Sequence, residues 1–285
     1  MTQQLDTPDA GVATTPGLPL AGRALALAGR PLAGRTALVT GGGRGIGRAI
    51  ALALAADGCT VAVNYRRDGD AAADTVAAIG ALGSRGVAYQ ASVDDADAVD
   101  ALAGRVLDEL GPVDLLVCNA GIASRGKTVA DTELAEVDRL MRTHVYSAFR
   151  LCSALLPGMR ERPRGDVVFI SSVAARQVAA RSAPYTMAKV ALESLALTVA
   201  KEERPNGIHA NVVAPGLVDT EMGRRLVRGA MGVEDISTLD ATSPFGRVCR
   251  PEDVAEVVRF LVSSAAGYVT GQIVTVDGGL LVGRY

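Results

Sequence analysis

From Thr36 onward, short runs of β-branched and aliphatic residues alternate with longer stretches whose apolar residues recur at helical spacing, and this alternation constrains the fold most. The short runs fall at 36–40, 60–64, 87–90, 113–118, 167–171, 208–213 and 272–276; helical segments are expected at 47–57, 69–82, 95–110, 132–161, 183–203 and 251–263. The strand-like runs lack regular polar alternation. Each therefore reads as buried on both faces, as in a parallel sheet covered by crossover helices. Gly58, Gly83, Gly111 and Gly207 follow helix ends, where a left-handed residue is least strained. Right-handed crossovers would gather the C-terminal strand ends along one ligand-binding edge.

With 285 residues, 49% of them hydrophobic, the chain has enough apolar side chains for one large domain, expected over 32–285. Residues 1–31 differ, being rich in Ala, Gly, Pro and Leu, with a Leu-Ala-Gly-Arg unit recurring at Leu20, Leu27 and Leu32. They read as a flexible, low-complexity extension. A formal net charge of -2 offers no global field for a nucleic-acid backbone, so no nucleic-acid partner is expected. The four cysteines, Cys59, Cys118, Cys152 and Cys249, contain no C-x-x-C pair and fit a reducing cytoplasm. No apolar stretch of spanning length runs uninterrupted, and the N-terminus lacks a signal-peptide pattern, so a soluble protein without a membrane partner is expected.

The first strand runs into Thr40-Gly41-Gly42-Gly43-Arg44-Gly45-Ile46-Gly47. Gly41, Gly45 and Gly47 would permit a tight turn, close approach of a pyrophosphate and close helix packing, with the helix N-terminus supplying amide donors. These features together predict an α/β fold, a doubly wound parallel seven-stranded Rossmann sheet with helices on both faces. At the end of the second strand an acid would bind adenosine ribose hydroxyls, but the residues are Asn64-Tyr65-Arg66-Arg67. Arg66 first, then Arg44, could clasp a 2′-phosphate, which predicts NADP(H) rather than NAD(H). Ile46 and Tyr65 complete the expected contacts on this side.

Asn119-Ala120-Gly121 after the fourth strand and Pro215-Gly216-x-x-x-Thr220 after the sixth, taken with the glycine turn, resemble the short-chain dehydrogenase/reductase family from Leu32 to about Gly279. Pro244-Phe245-Gly246-Arg247, Pro251-Glu252-Asp253-Val254-Ala255, Gly271-Gln272 and Val276-Asp277-Gly278-Gly279 make the chain similar to 3-oxoacyl-acyl-carrier-protein reductases and related ketoreductases. The resemblance implies that Asn119, Ala120 and Gly121 border the cofactor and steady the sheet. It places Pro215 and Gly216 beside the cofactor and implies that Val218 and Thr220 contact the nicotinamide carboxamide.

A ketone accepting hydride develops charge on oxygen, so the site needs an acid in reach and a donor that holds the carbonyl. Tyr185 is the expected acid. Lys189, four residues on and one helical turn away, would supply an ammonium that favours the phenolate, and Ser172 would hold the substrate oxygen. Family spacing favours Ser172 over adjacent Ser171 and implies that Lys189 also holds nicotinamide ribose hydroxyls. Where the family offers an Asn in a proton relay, this chain has His144. Two readings stay open: the imidazole joins the relay and titrates near neutrality, or the ring packs in the helix and slows the chemistry. His209, in a strand, reads as structural.

Substrate walls are expected after Ser172, at 122–127 and in a lid near 217–244, with Arg125, Arg176 and Arg181 flanking the entrance. The expected reaction is reduction of a small-molecule ketone, a 3-oxoacyl thioester, free or carried on an acyl carrier protein, or a related carbonyl. The alternatives are oxidation of an alcohol, sugar, steroid or polyketide intermediate, and a non-catalytic cofactor-binding sensor or scaffold. Family members commonly form tetramers, and apolar segments 147–156 and 188–199 are the corresponding candidates for a homotetramer.

Overall fold

In the computed structural model, which describes residues 29–282, every apolar run forms a strand. These are β1 (Thr36–Val39), β2 (Thr60–Tyr65), β3 (Gly86–Gln90), β4 (Leu115–Cys118), β5 (Gly165–Ile170), β6 (Ile208–Pro215) and β7 (Ile273–Val276). They make one parallel sheet in the order β3-β2-β1-β4-β5-β6-β7. The chain winds outward from β1 to β3 and then returns to place β4 on the other side of β1. The turns after β1 and β4 consequently diverge and open the crevice in which such sheets bind ligands.

The helices are α1 (Gly45–Ala56), α2 (Gly69–Ala81), α3 (Ala96–Leu110), α4 (Leu134–Met141), α5 (Ser147–Met159), α6 (Ala183–Glu203), α7 (Glu221–Met231) and α8 (Pro251–Leu261). Two cores result, one on each face. Leu102, Val106, Leu151, Leu155, Leu192 and Ala196 from α3, α5 and α6 pack on one face, over Leu38, Leu116 and Phe169. Ile50, Leu54, Ile79, Val254 and Val258 from α1, α2 and α8 pack on the other, over Val39, Val61 and Val117. Burial on both sides is why the strands read as unbroken apolar runs.

Two segments differ from the expectation. The single helix anticipated over 132–161 is interrupted by a π-helical segment, Arg142–Tyr146, between α4 and α5. Thr143 Oγ1 donates to the Arg139 carbonyl at 2.9 Å and Ser147 Oγ to the Thr143 carbonyl at 2.7 Å. These hydroxyls occupy carbonyls where the regular ladder shifts, and a widened turn of this kind is common at functional sites. Apolar periodicity barely changes across one extra residue per turn. The second difference is α7, inside the segment read as an unpatterned lid. Thr220 caps it by accepting from Gly223 N at 3.0 Å, and Gly232 ends it with φ 66°. Val227 is its only large buried apolar side chain, packed with Ile236 and Val248, while Met222, Leu226 and Met231, at helical spacing around it, stay exposed.

Residues 1–28 of the expected extension lie outside the described residues, as do 283–285. Arg30 already belongs to the domain: its guanidinium donates to the carbonyls of Ala55 at 3.2 Å, Leu82 at 3.2 Å and Gly83 at 2.9 Å, closing the C-terminal ends of α1 and α2. At the sheet edge opposite the site, Asp166 accepts from Arg35 at 2.7 Å and from Arg164 at 2.7 Å, while Asp114 accepts from Arg162 at 2.7 Å and Thr36 N at 2.8 Å. No helix among the described residues is long and apolar enough to cross a membrane.

Candidate active site

The glycine turn shows three separate steric requirements. Gly41 has φ 63° and Gly45 φ 54°, the left-handed region that side chains rarely adopt. Gly47 is conformationally ordinary but crowded: a Cβ there would stand 2.2 Å from the Gly41 carbonyl oxygen and 2.5 Å from Asn119 Nδ2. The turn is held from both neighbouring strands. Asn119 Nδ2 donates to the Thr40 carbonyl at 2.8 Å, Thr40 Oγ1 accepts from Asn119 N at 2.9 Å and Ala120 N at 3.0 Å, and Asn64 Oδ1 accepts from Gly41 N at 3.3 Å. Asn64 is a site residue that sequence reasoning missed in this role. Its signal was a polar side chain closing an otherwise apolar strand; buried, its amide also donates to the Ala91 carbonyl at 3.1 Å.

Together these contacts leave a backbone cradle ahead of α1, with Ile46 in its first turn and Tyr65 at the end of β2. A pyrophosphate fits such a cradle, because amide donors and the helix dipole face outward where side chains are excluded. Both proposed phosphate-clasping arginines lie on exposed surface. Arg66 is 3.9 Å from Asp94, and Arg44, the N-cap of α1, pairs with Glu221 at the start of α7. The cradle and α7 therefore share a charged contact.

At the end of β6, Pro215 is buried, and the following Gly216 N donates to the Val276 carbonyl at 2.9 Å. A Cβ on Gly216 would lie 3.1 Å from that of Asp277. The Val218 side chain is buried, and its backbone bridges to Cys249, leaving the stretch up to Thr220 as a rigid ledge above the strand ends.

The three residues expected to carry the chemistry converge at the end of β5, beside the end of β6. Ser172 follows β5 and caps a 3₁₀ turn, Val173–Ala175, accepting from Ala174 N at 3.2 Å. Pro184 sits in the first turn of α6, which places Tyr185 and Lys189 on one face. The Lys189 ammonium lies 5.6 Å from the Tyr185 ring centre and donates to the Ile170 carbonyl at 2.8 Å. Burial raises the Tyr185 pKa above the usual phenol value, and the Ser172 hydroxyl acts against this by stabilising the phenolate. Burial pulls Lys189 down to about 7, with Glu193 acting in the opposite direction.

His144 sits in the π segment with its ring edge against Tyr185, centroids 5.6 Å apart at 88°. Its Nε2 is 2.9 Å from the Ile122 carbonyl oxygen and 3.2 Å from Ile122 N. The shorter contact assigns the proton to Nε2, which leaves Nδ1 a buried acceptor without a partner among the described residues. Burial first, then the Lys189 charge, push His144 down to about 3, so the ring is neutral near pH 7. It also fills space: a Cβ on Gly121 would stand 2.6 Å from His144 Cε1.

Of the arginines expected at the entrance, Arg176 faces Glu193 at 4.0 Å, Arg181 adopts φ 63°, and Arg125 N donates to Glu136 at 2.6 Å. His209 lies away from the triad, with Nδ1 3.1 Å from the Val269 carbonyl. Among the described residues, no three His, Cys, Asp or Glu side chains are grouped to hold a metal ion.

A family model described as enoyl-(acyl carrier protein) reductase matches residues 41–281. The chain is 38% identical over 252 residues to a 3-oxoacyl-[acyl-carrier-protein] reductase of Synechocystis sp., covering 88% of this chain and 98% of the relative. Solved structures include a 7α-hydroxysteroid dehydrogenase complexed with NADH and 7-oxo glycochenodeoxycholic acid, at 32% identity and TM-score 0.79, covering 87% of this chain and 94% of that one. L-sorbose reductase from Gluconobacter frateurii, complexed with NADPH and L-sorbose, aligns at 29% identity and TM-score 0.81, covering 88% and 97%. The glycine cradle, the parallel sheet and these likenesses agree: the chain belongs to the short-chain dehydrogenase/reductase family of oxidoreductases.

Proposed function

We propose that the protein is an NADP(H)-dependent reductase that converts a ketone, a 3-oxoacyl thioester or related carbonyl, to a secondary alcohol. The observation carrying this reading is the convergence of Ser172, Tyr185 and Lys189 at the C-terminal end of β5, along the same sheet edge as the turn after β1. When bound, the nicotinamide supplies hydride to the carbonyl carbon. Ser172 donates a hydrogen bond to the substrate oxygen and fixes its place. Tyr185 transfers its phenolic proton to that oxygen as charge develops, and protonated Lys189 stabilises the phenolate left behind. Gly41, Gly45, Gly47, Asn119, Ala120 and Gly121 shape the cofactor groove. Pro215, Gly216, Val218 and Thr220 form its ledge, and 217–244 covers it as a lid.

The preference for the 2′-phosphorylated cofactor rests on charge. Solved relatives carry NADH in one case and NADPH in another, so the β2 end decides, and there Arg66 and Arg67 stand where an acid would repel phosphate. Glu221 competes for Arg44, which leaves Arg66 as the principal clamp.

His144 acts by holding the Ile122 backbone rather than by titrating. The same reading places the enzyme in the cytoplasm as a homotetramer that accepts small molecules or acyl-carrier-protein thioesters. Exposed Tyr146, Phe149, Met187 and Val190, on the π segment, α5 and α6, support association with further copies.

The test is NADPH and NADH oxidation against acetoacetyl and crotonyl thioesters, cyclic ketones, quinones and keto-sugars. Wild-type protein is expected to oxidise NADPH with a ketone and to lose at least about a hundredfold in kcat as Tyr185→Phe. Turnover of crotonyl thioester alone would point to reduction of a carbon–carbon double bond. Cofactor binding without turnover of any substrate would make the chain a sensor.

A further inference from the structure

Glu193 is a buried acid that the proposed chemistry does not use, only 9% exposed. It lies on α6 one turn beyond Lys189, so Tyr185, Lys189 and Glu193 form a single row. Its Oε1 accepts from Ser171 Oγ at 2.8 Å, and its Oε2 lies 4.0 Å from an Arg176 guanidinium nitrogen. Ser171 and Arg176 are the residues on either side of segment 172–175, which carries Ser172 and its 3₁₀ turn. One carboxylate thus touches both ends of the segment that presents the substrate-holding hydroxyl, from the helix that presents the acid.

Accepting the roles assigned above to Tyr185 and Lys189, we propose that Glu193 is a positioning residue that anchors the Ser172 segment to α6 and keeps Lys189 protonated. An ammonium inside a protein loses its proton readily unless a negative charge stands near it. The titratable groups facing Lys189 among the described residues are Tyr185 and Glu193 from α6 and His144 from the π segment; β5 contributes the Ile170 carbonyl. His144 is neutral and the phenol is uncharged before reaction, which leaves Glu193 as the counter-charge. Arg176, 4.0 Å from the carboxylate, balances part of its charge.

The experiment reads the alkaline limb of the kcat–pH profile for ketone reduction in the full-length enzyme. Glu193→Gln keeps an acceptor for Ser171 but removes the charge, so Lys189 loses its proton sooner. The limb is expected to move about one pH unit toward lower pH. Ser171→Ala keeps the charge and loosens the segment; it is expected to lower kcat about tenfold while leaving the limb in place. Superimposable limbs for wild type and Glu193→Gln overturn the proposal. Should Glu193→Gln fail to fold, Glu193→Asp is read instead: the withdrawn carboxylate moves the limb the same way by less, and an unmoved limb again overturns it. Undiminished turnover in Tyr185→Phe would instead refute the underlying roles, whatever Glu193→Gln does.

Discussion

His144 presents one ring nitrogen to the Ile122 backbone and leaves the other buried without a partner among the described residues. An asparagine offers a donor and an acceptor from one planar group, so it could serve both the Ile122 carbonyl and amide; a neutral imidazole nitrogen does one or the other. Because the folded pKa of about 3 lies below the ordinary 6.5, the unfolded chain binds this proton more readily than the folded one. The stability contribution of the neutral ring is intact above about pH 6.5 and falls by roughly 1.4 kcal/mol per unit as pH drops toward 3. His144→Asn is therefore expected to unfold less steeply with acid, and to leave the neutral-pH rate profile unchanged, measured by denaturant titration and initial rates across pH. A rate dependence near neutrality that disappears in the variant would restore the imidazole to the relay.

At the level of elements, the β1–α1 turn separates two kinds of glycine. A Cβ at Gly47 would strike the Gly41 carbonyl and the Asn119 amide, both fixed, whereas at Gly43 it would meet Ala72 atoms at 3.4 to 3.5 Å, ordinary contact. Gly47→Ala is expected to lose at least about 2 kcal/mol of stability and its NADPH binding, with Gly43→Ala within about 1 kcal/mol of wild type. Denaturant unfolding and NADPH fluorescence measure both; equal effects at the two positions would contradict the packing described here. The π segment belongs to this scale too. Its register shift sets His144 against Tyr185, and nothing in the apolar spacing of 132–161 distinguishes it from α-helix, since the covered stripe is nearly the same. Helix α7 reads as unpatterned although Met222, Leu226, Val227 and Met231 recur at helical spacing; of these only Val227 is buried, so the helix is fixed by its Thr220 and Gly232 ends and one small cluster.

For the whole molecule, exposed Tyr146, Phe149, Met187 and Val190 predict assembly. Phe149→Glu combined with Val190→Glu is expected to shift the mass measured by light scattering from a tetramer to a smaller species, since charge on a covered apolar face is costly. A monomeric wild type would end that expectation. At this scale the doubly wound parallel sheet was the most legible property, because seven apolar runs separated by helical lengths permit few right-handed arrangements; the order of its strands came from the structure.

From the chain alone came the parallel sheet, the glycine turn and the one-turn step from Tyr185 to Lys189, because each depends on local spacing: two-face burial, a strand-to-helix turn, a four-residue step; the choice of Ser172 over Ser171 came from the family resemblance. The fold decided which of these groups are charged and what restrains them. Lys189 drawn down to about 7, His144 held neutral, Glu193 bound to Ser171, and Arg44 engaged by Glu221 all arise from neighbours distant in sequence. Desolvation and pairing are properties of the surroundings a residue acquires on folding, and no local pattern encodes them.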